Sequence, residues 1–195
     1  FCYRVDGERL LVGGAFANGG NVFAWAQKTL RFGDPKAVAR AVAGLPPDGH
    51  GLTILPFWAG ERSPGWHVGA RAIISGMNLH TTPADILRAS QEAVEYPSAS
   101  EIVASGGALT HDPAWTQIMA DTFGVPVTTS RVFEASSRGA ALLALDGLGL
   151  IDDLGDVPTY LGKTYAPDAG RHEIYAKARA RQEALYAQML GRPRA

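Results

Sequence analysis

The chain is poor in the residues that tie a protein together covalently or through a metal. Cys2 is its single cysteine, so there is no disulfide framework and no cysteine zinc site. The five histidines, His50, His67, His80, His111 and His172, lie far apart without ligand spacing, which argues against a structural metal. An excess of one charge is missing too: 18 Lys and Arg against 19 Asp and Glu leave a net charge of −1. A nucleic-acid binder needs a basic surface to neutralise phosphates, and this composition offers none. No apolar run approaches a membrane span, and no signal peptide is visible. These absences predict a protein of the reducing cytoplasm with no nucleic-acid or membrane partner. An initiator methionine is also lacking. Phe1-Cys2-Tyr3-Arg4-Val5-Asp6 reads as the middle of a strand, so an upstream part is expected to have been removed, or the chain is a fragment of a longer polypeptide.

What is present is ordinary globular material. Hydrophobic residues make up 46% and charged residues 19% of 195 positions, enough for one domain with a good core or two tightly joined lobes. Periodicity and turn residues predict strands at 9–14, 52–57, 72–74, 102–104 and 125–129. Helices are predicted at 21–30, 35–43, 83 to about 96, from 113 onward, 135–147 and 171–190. Residues 152–170 read as irregular. In the first helix Val22, Phe23, Trp25, Ala26 and Leu30 form a broad apolar face. In the last, Ile174, Ala178, Leu185, Tyr186 and Met189 form the stripe, and Lys177, Arg179 and Arg181 the solvated face. Strands alternate with helices, which favours an α/β layered fold.

Residues 101–127 are the most informative stretch. Ile102, Val103 and Ala104 make a short strand, Gly106-Gly107 a bare turn, and Asp112 caps a helix whose first residue is Pro113. Trp115, Ile118, Met119 and Phe123 fall on one helical face. A strand, a turn without side chains and a capped helix make a place where a flat ligand can press on backbone. A tight turn with no further role has the same appearance. The third glycine of the dinucleotide fingerprint and the Gly-Lys-Ser/Thr of a phosphate loop are both missing.

Four segments occur in order: Val12-Gly13-Gly14-Ala15-Phe16-Ala17-Asn18-Gly19-Gly20-Asn21, Leu55-Pro56-Phe57-Trp58-Ala59-Gly60-Glu61-Arg62-Ser63-Pro64, Ser105-Gly106-Gly107-Ala108, and Glu134-Ala135-Ser136-Ser137-Arg138-Gly139-Ala140-Ala141. Together they resemble the carboxy-terminal domain of the FGGY carbohydrate kinases, gluconokinase and xylulokinase branch, over nearly all of residues 1–195. The resemblance implies an α/β, actin-like ATPase (ribonuclease-H-like) domain with a mixed sheet flanked by helices. It implies ATP as nucleotide, with Mg²⁺ carried on it. It also implies a separate amino-terminal domain, absent from this chain, that supplies most sugar contacts and the catalytic aspartate. None of Asp6, Asp34, Asp48, Asp85 or Asp112 stands in the context of that base, so it is expected upstream of Phe1 and the isolated chain is expected to be inactive. The implied reaction is phosphorylation of a sugar or sugar-acid hydroxyl, with gluconate preferred because the segment from Phe57 to Arg62 is closest to that branch, and a xylulose-like sugar next.

The implied nucleotide contacts are Gly106, Gly107 and Ala108, where adenosine packs, and His111, at a position often Asn or Ser in relatives. Gly19, Gly20 and Asn21 stand at a helix start suited to phosphate, or are a plain helix entry with Asn as cap. Arg62 is a candidate for neutralising a phosphate or a sugar-acid carboxylate, or pairs beside Glu61 and fixes the loop. Ser136, Ser137 and Arg138 read as a helix start on the nucleotide side. Gly139, Ala140 and Ala141 suit close helix–sheet packing. Relatives carry a longer stretch where Tyr96-Pro97-Ser98-Ala99-Ser100 stands. A non-catalytic, stand-alone nucleotide-binding or regulatory module is the alternative. A chaperone-type actin-like ATPase is disfavoured by the loop from Gly60 to Pro64. A homodimer stays open.

Overall fold

The structure is a computed structural model that describes residues 2–4, 9–12, 20–62, 65–93, 102–106 and 112–191. In chain order the elements are β1 (Cys2–Arg4), β2 (Leu10–Val12), α1 (Gly20–Thr29), α2 (Pro35–Gly44), β3 (Thr53–Leu55), β4 (Ile73–Ser75), α3 (Pro83–Glu92), β5 (Ile102–Ala104), α4 (Pro113–Phe123), β6 (Val127–Ser130), α5 (Ala135–Gly147), a 3₁₀ turn (Leu154–Asp156), β7 (Leu161–Tyr165) and α6 (Ala169–Leu190). They form two compact units, one of Phe1–Ser98 with Ala169–Ala195 and one of Ala99–Asp168.

In the first unit β1 pairs with β2 and β3 with β4, both antiparallel. Local chemistry sets the helix starts. Asp34 accepts from the Lys36 and Ala37 backbone N–H groups, both at 3.2 Å, with Pro35 opening α2. Thr82 and Asp85 form a reciprocal capping box around Pro83 at the start of α3. Helix α3 then feeds two core clusters. Ile86, Ala89 and the following Ala93 pack with Leu52 and Ile54, while Leu87 packs with Ala26, Val38 and Val42. A third cluster joins Leu55, Phe57 and Ala70 to Tyr186 of α6.

The second unit holds a mixed three-stranded sheet, β5 parallel to β6 and β6 antiparallel to β7. Its side chains alternate between faces. The row Ile102, Val127 and Tyr165 joins Ala104, Ala120, Met119 and Phe123 in the core made with α4. The neighbouring row is Val103, Thr128 and Thr164. Val103 is 55% exposed, and the two threonine hydroxyls bond to each other at 2.8 Å.

Several expectations need correction. Residues 152–170 are not irregular throughout: they contain the 3₁₀ turn and β7, an edge strand with one buried residue, Tyr165. Helix α6 turns Leu185 and Tyr186 inward as expected but also buries Tyr175, whereas Ile174 and Met189 are exposed; the tyrosines go inside because their hydroxyls find polar partners there. Among the described residues of α1, Ala26 is fully buried, with Phe23, Trp25 and Leu30 partly covered. On α4 Ile118 is buried, but so are Thr116, Asp121 and Thr122. Helix α5 buries nothing, so Gly139, Ala140 and Ala141 do not serve close packing. The extension of α3 to residue 96 falls outside the described residues; the described helix ends at Glu92.

Candidate nucleotide site

Strand β5 ends at Ala104 and delivers Gly106, which has φ +98°. That left-handed conformation suits glycine alone. A Cβ built there would meet no atom within 4 Å, so the backbone at Gly106 borders open space. Helix α4 begins seven residues on. Asp112 caps it by accepting from the Trp115 N–H at 3.1 Å. The acidic cap already answers the positive helix end, so this N-terminus is a weaker place for phosphate than the sequence suggests.

Helix α1 differs. It opens at Gly20, has no acidic residue in its first turn, and Asn21 Oδ1 accepts from the adjacent Val22 N–H at 3.0 Å. Asn21 is exposed, and this bond reaches only the next residue of its own helix. Gly20 and Asn21 belong to the first unit and Gly106 to the second. Gly19, Gly107, Ala108 and His111 lie outside the described residues. The aspartates set aside as the base have structural roles: Asp34 and Asp112 are helix caps, Asp85 completes the Thr82 capping box, and Asp48 pairs with Arg181 at 2.5 Å. Asp6 is outside the described residues. Arg138 donates to the Pro158 carbonyl at 2.8 Å and lies over the Tyr160 ring.

The loop after β3 is fixed by Glu61 rather than by Arg62. Glu61 is 2% exposed. Its carboxylate accepts from Gly65 N–H at 2.7 Å, His67 N–H at 3.0 Å and the Tyr186 hydroxyl at 2.9 Å. Arg62 is exposed. Gly60 is required beside it: its φ is +83°, and a Cβ would lie 2.6 Å from the Val68 carbonyl oxygen. Trp66 holds φ +58° and is 53% exposed.

A second polar cluster, in the first unit, was not anticipated. Arg88 is 5% exposed. It donates to Glu92 at 2.5 Å, to the Val42 carbonyl at 3.2 Å and to the Tyr175 hydroxyl at 2.9 Å. Glu92 also accepts from His50 Nε2 at 2.9 Å and from Asp48 N–H at 3.2 Å. Burial alone would raise the Glu92 pKa, but the His50 hydrogen bond and the Arg88 guanidinium outweigh it and hold the carboxyl below its usual range. Burial, reinforced by the Glu92 charge, pushes the Tyr175 hydroxyl upward. The spacing of Arg88 and Glu92, four apart on a helix, was the available signal.

Asp48, His50 and Glu92 bring three ligand-type atoms within 4.8 Å of one another. Their chemistry fits a proton network better than a cation. His50 Nδ1 accepts from the Leu52 N–H at 3.0 Å, so the ring proton sits on Nε2, the atom a metal would need. Arg88 and Arg181 already neutralise the two carboxylates.

Residues 3–99 and 90–146 match the FGGY family of carbohydrate kinases, C-terminal domain. The chain belongs to this family. The two matched pieces overlap at 90–99, where the family pattern breaks and restarts. The Bacillus subtilis gluconokinase is 30% identical over 190 positions, covering 85% of this chain and 37% of the relative. Since 85% of 195 residues is about 166, on the order of 25 of those positions face no residue here. Among solved structures, ligand-bound xylulose kinase from Lactobacillus acidophilus superposes with TM-score 0.85 at 28% identity, covering 97% of this chain and 42% of that one. Gluconate kinase from the same organism gives 0.84 at 28% identity, with the same coverage. The FGGY C-terminal fold, actin-like with a mixed sheet and flanking helices, is thus the fold of this chain. The chain spans about two fifths of the length of the relatives it matches. Among the described residues no helix is long and apolar enough to cross a membrane.

Proposed function

We propose that this FGGY chain is the nucleotide-binding part of an ATP-dependent carbohydrate kinase, with gluconate the preferred acceptor and a xylulose-like sugar next. Family membership supports the class; among relatives that also include glycerol kinases, the gluconokinase and gluconate kinase support gluconate and the xylulose kinase supports the second sugar. The observation that carries the site is Gly106: a left-handed glycine at the end of a core strand whose missing side chain faces open space. A purine and ribose can approach such backbone to van der Waals distance. Gly107, Ala108 and His111 continue this contact, and Gly19, Gly20 and Asn21 at the start of α1 receive phosphate. ATP, with its Mg²⁺, brings the phosphoryl group. The residues of this chain orient the nucleotide, and the catalytic base and most sugar contacts belong to an amino-terminal domain outside it. Phosphoryl transfer depends chiefly on such positioning and on charge neutralisation.

Chemical-shift mapping with ADP tests the site. The Gly106 amide should shift, and Gly106→Val should remove the response. Positive φ makes that change cost roughly 1–3 kcal/mol by strain, so the melting temperature is measured beside it. Lost ADP response with a nearly unchanged melt supports the site. A retained response with a large melting-temperature drop makes Gly106 a structural turn.

A further inference from the structure

His50 stands between the Pro46-Pro47-Asp48-Gly49 turn and strand β3, and its side chain is 3% exposed. Both ring nitrogens are engaged. Nε2 donates to Glu92 at 2.9 Å, and Nδ1 accepts from the Leu52 N–H at 3.0 Å. The backbone on either side enters the left-handed region, at Asp48 with φ +54° and at Gly51 with φ +66°. An aspartate keeps that conformation where its surroundings hold it. Here the Asp48 N–H donates to Glu92 at 3.2 Å, and its carboxylate accepts from Arg181 of α6 at 2.5 Å. On the other side of His50 the Ile54 carbonyl accepts from Gln182 of α6 at 3.0 Å. In sequence, His50 therefore lies between the two residues that hold the middle of α6.

The charged and titratable groups of this cluster are Glu92 and Arg88 of α3, Asp48 of the turn, and Tyr175 and Arg181 of α6; α2 brings the Val42 carbonyl. Arg179 and Glu183 of α6 pair with each other in solvent. Two guanidiniums thus balance two carboxylates while His50 and Tyr175 are neutral. Burial opposes the Glu92 charge, but the His50 hydrogen bond and Arg88 keep its carboxyl below the usual range, so it stays ionised. Burial holds the Tyr175 hydroxyl protonated. Imidazole is the side chain that changes charge between about pH 5 and 8. A second proton enters the ring at Nδ1, which then becomes a donor facing the Leu52 N–H, another donor. We propose that His50 is a proton-operated release for the middle of α6: protonation at Nδ1 breaks the bond to Leu52, frees the turn that presents Asp48 to Arg181, and loosens the helix there. Tyr175 and Tyr186 keep their bonds to Arg88 and Glu61, so α6 stays attached on both sides of the loosened stretch.

Two measurements on the full 195-residue chain test this. The first needs no variant. Ring ¹⁵N shifts of His50 are followed from about pH 8 to pH 5, with amide hydrogen exchange corrected for the intrinsic rate at each pH. At the upper end Nε2 should carry the proton and Nδ1 should be an acceptor. As Nδ1 gains its proton, exchange over residues 178–184 should quicken about fivefold or more, while α4 in the other unit keeps its protection. The second measurement repeats the exchange with His50→Gln, whose amide can still donate to Glu92 but does not titrate. The extra exchange at low pH should vanish. The proposal is overturned if His50 stays neutral down to pH 5, if Nδ1 already carries the proton at pH 8, or if residues 178–184 do not respond as the ring titrates. It is equally overturned if α4 loses protection to the same degree, which is general acid loosening, or if His50→Gln retains the full pH response.

Discussion

Helices α3 and α5 have compositions that point one way and environments that point the other. Helix α3 reads Pro-Ala-Asp-Ile-Leu-Arg-Ala-Ser-Gln-Glu and buries Ile86, Leu87, Arg88, Ala89 and Gln91. Helix α5 is mostly alanine and leucine and buries none of its residues. Burial here follows from what is available to cover a helix, not from how apolar it is. Arg88 can sit inside because Glu92, the Val42 carbonyl and the Tyr175 hydroxyl all receive its N–H groups. The leucines of α5 gain nothing from their character until another layer reaches them.

The contrast can be broken most forcefully at Arg88. Arg88→Ala leaves the buried Glu92 without its main cation, and should destabilise the protein by about 3–5 kcal/mol. Leu87→Ala, a core cavity on the same helix, should cost roughly 2–5 kcal/mol. Denaturant melts measure both; a loss under about 1 kcal/mol for Arg88→Ala would reduce the cluster to an ordinary surface pair.

Glu92→Gln should have a smaller effect, about 1–3 kcal/mol at neutral pH, and it carries a pH signature. Because the folded-state pKa of Glu92 lies below its usual value, its stabilisation is complete above the unfolded value of about 4.3. It disappears as the pH falls through the folded value. Melts from neutral to acid pH should show an acid limb in the parent that is shallower in the variant. Identical limbs would mean that Glu92 does not govern acid stability.

The smallest effect belongs to α5. Leu145→Ala should change stability by no more than about 0.5 kcal/mol, since Leu145 is 38% exposed and not in the core. A core-like loss there, beside that of Leu87→Ala, would erase the difference between the helices and mean that something already covers α5.

Where local chemistry decides structure, reading was direct. The Asp112 cap, the Thr82 start of α3 and the bounds of α5 stand as the residues suggested. Strand β7 was illegible because Leu-Gly-Lys-Thr-Tyr is half polar and gains its conformation only by pairing with β6. The inward face of α6 was legible at Leu185 and Tyr186 but not at Tyr175, for a related reason. Tyr175 is buried with its hydroxyl bonded to Arg88, a partner 87 positions away, which no local periodicity contains. Of the candidate site, the glycine turn was legible as far as Gly106. The acidic cap at Asp112 was legible too, but its effect on phosphate binding needed the geometry.

Helix α6 is made after Ala99–Asp168 but belongs to the unit that precedes that stretch. Synthesis proceeds at about 5–20 residues per second, so the intervening Ala99–Asp168 takes on the order of ten seconds to emerge. During that interval the growing chain holds Glu61, Arg88 and the Ile54 carbonyl without the Tyr186, Tyr175 and Gln182 groups that complete them. Helix α6 therefore acts as a latch: until it leaves the ribosome, the earlier unit lacks the partners that complete these three groups.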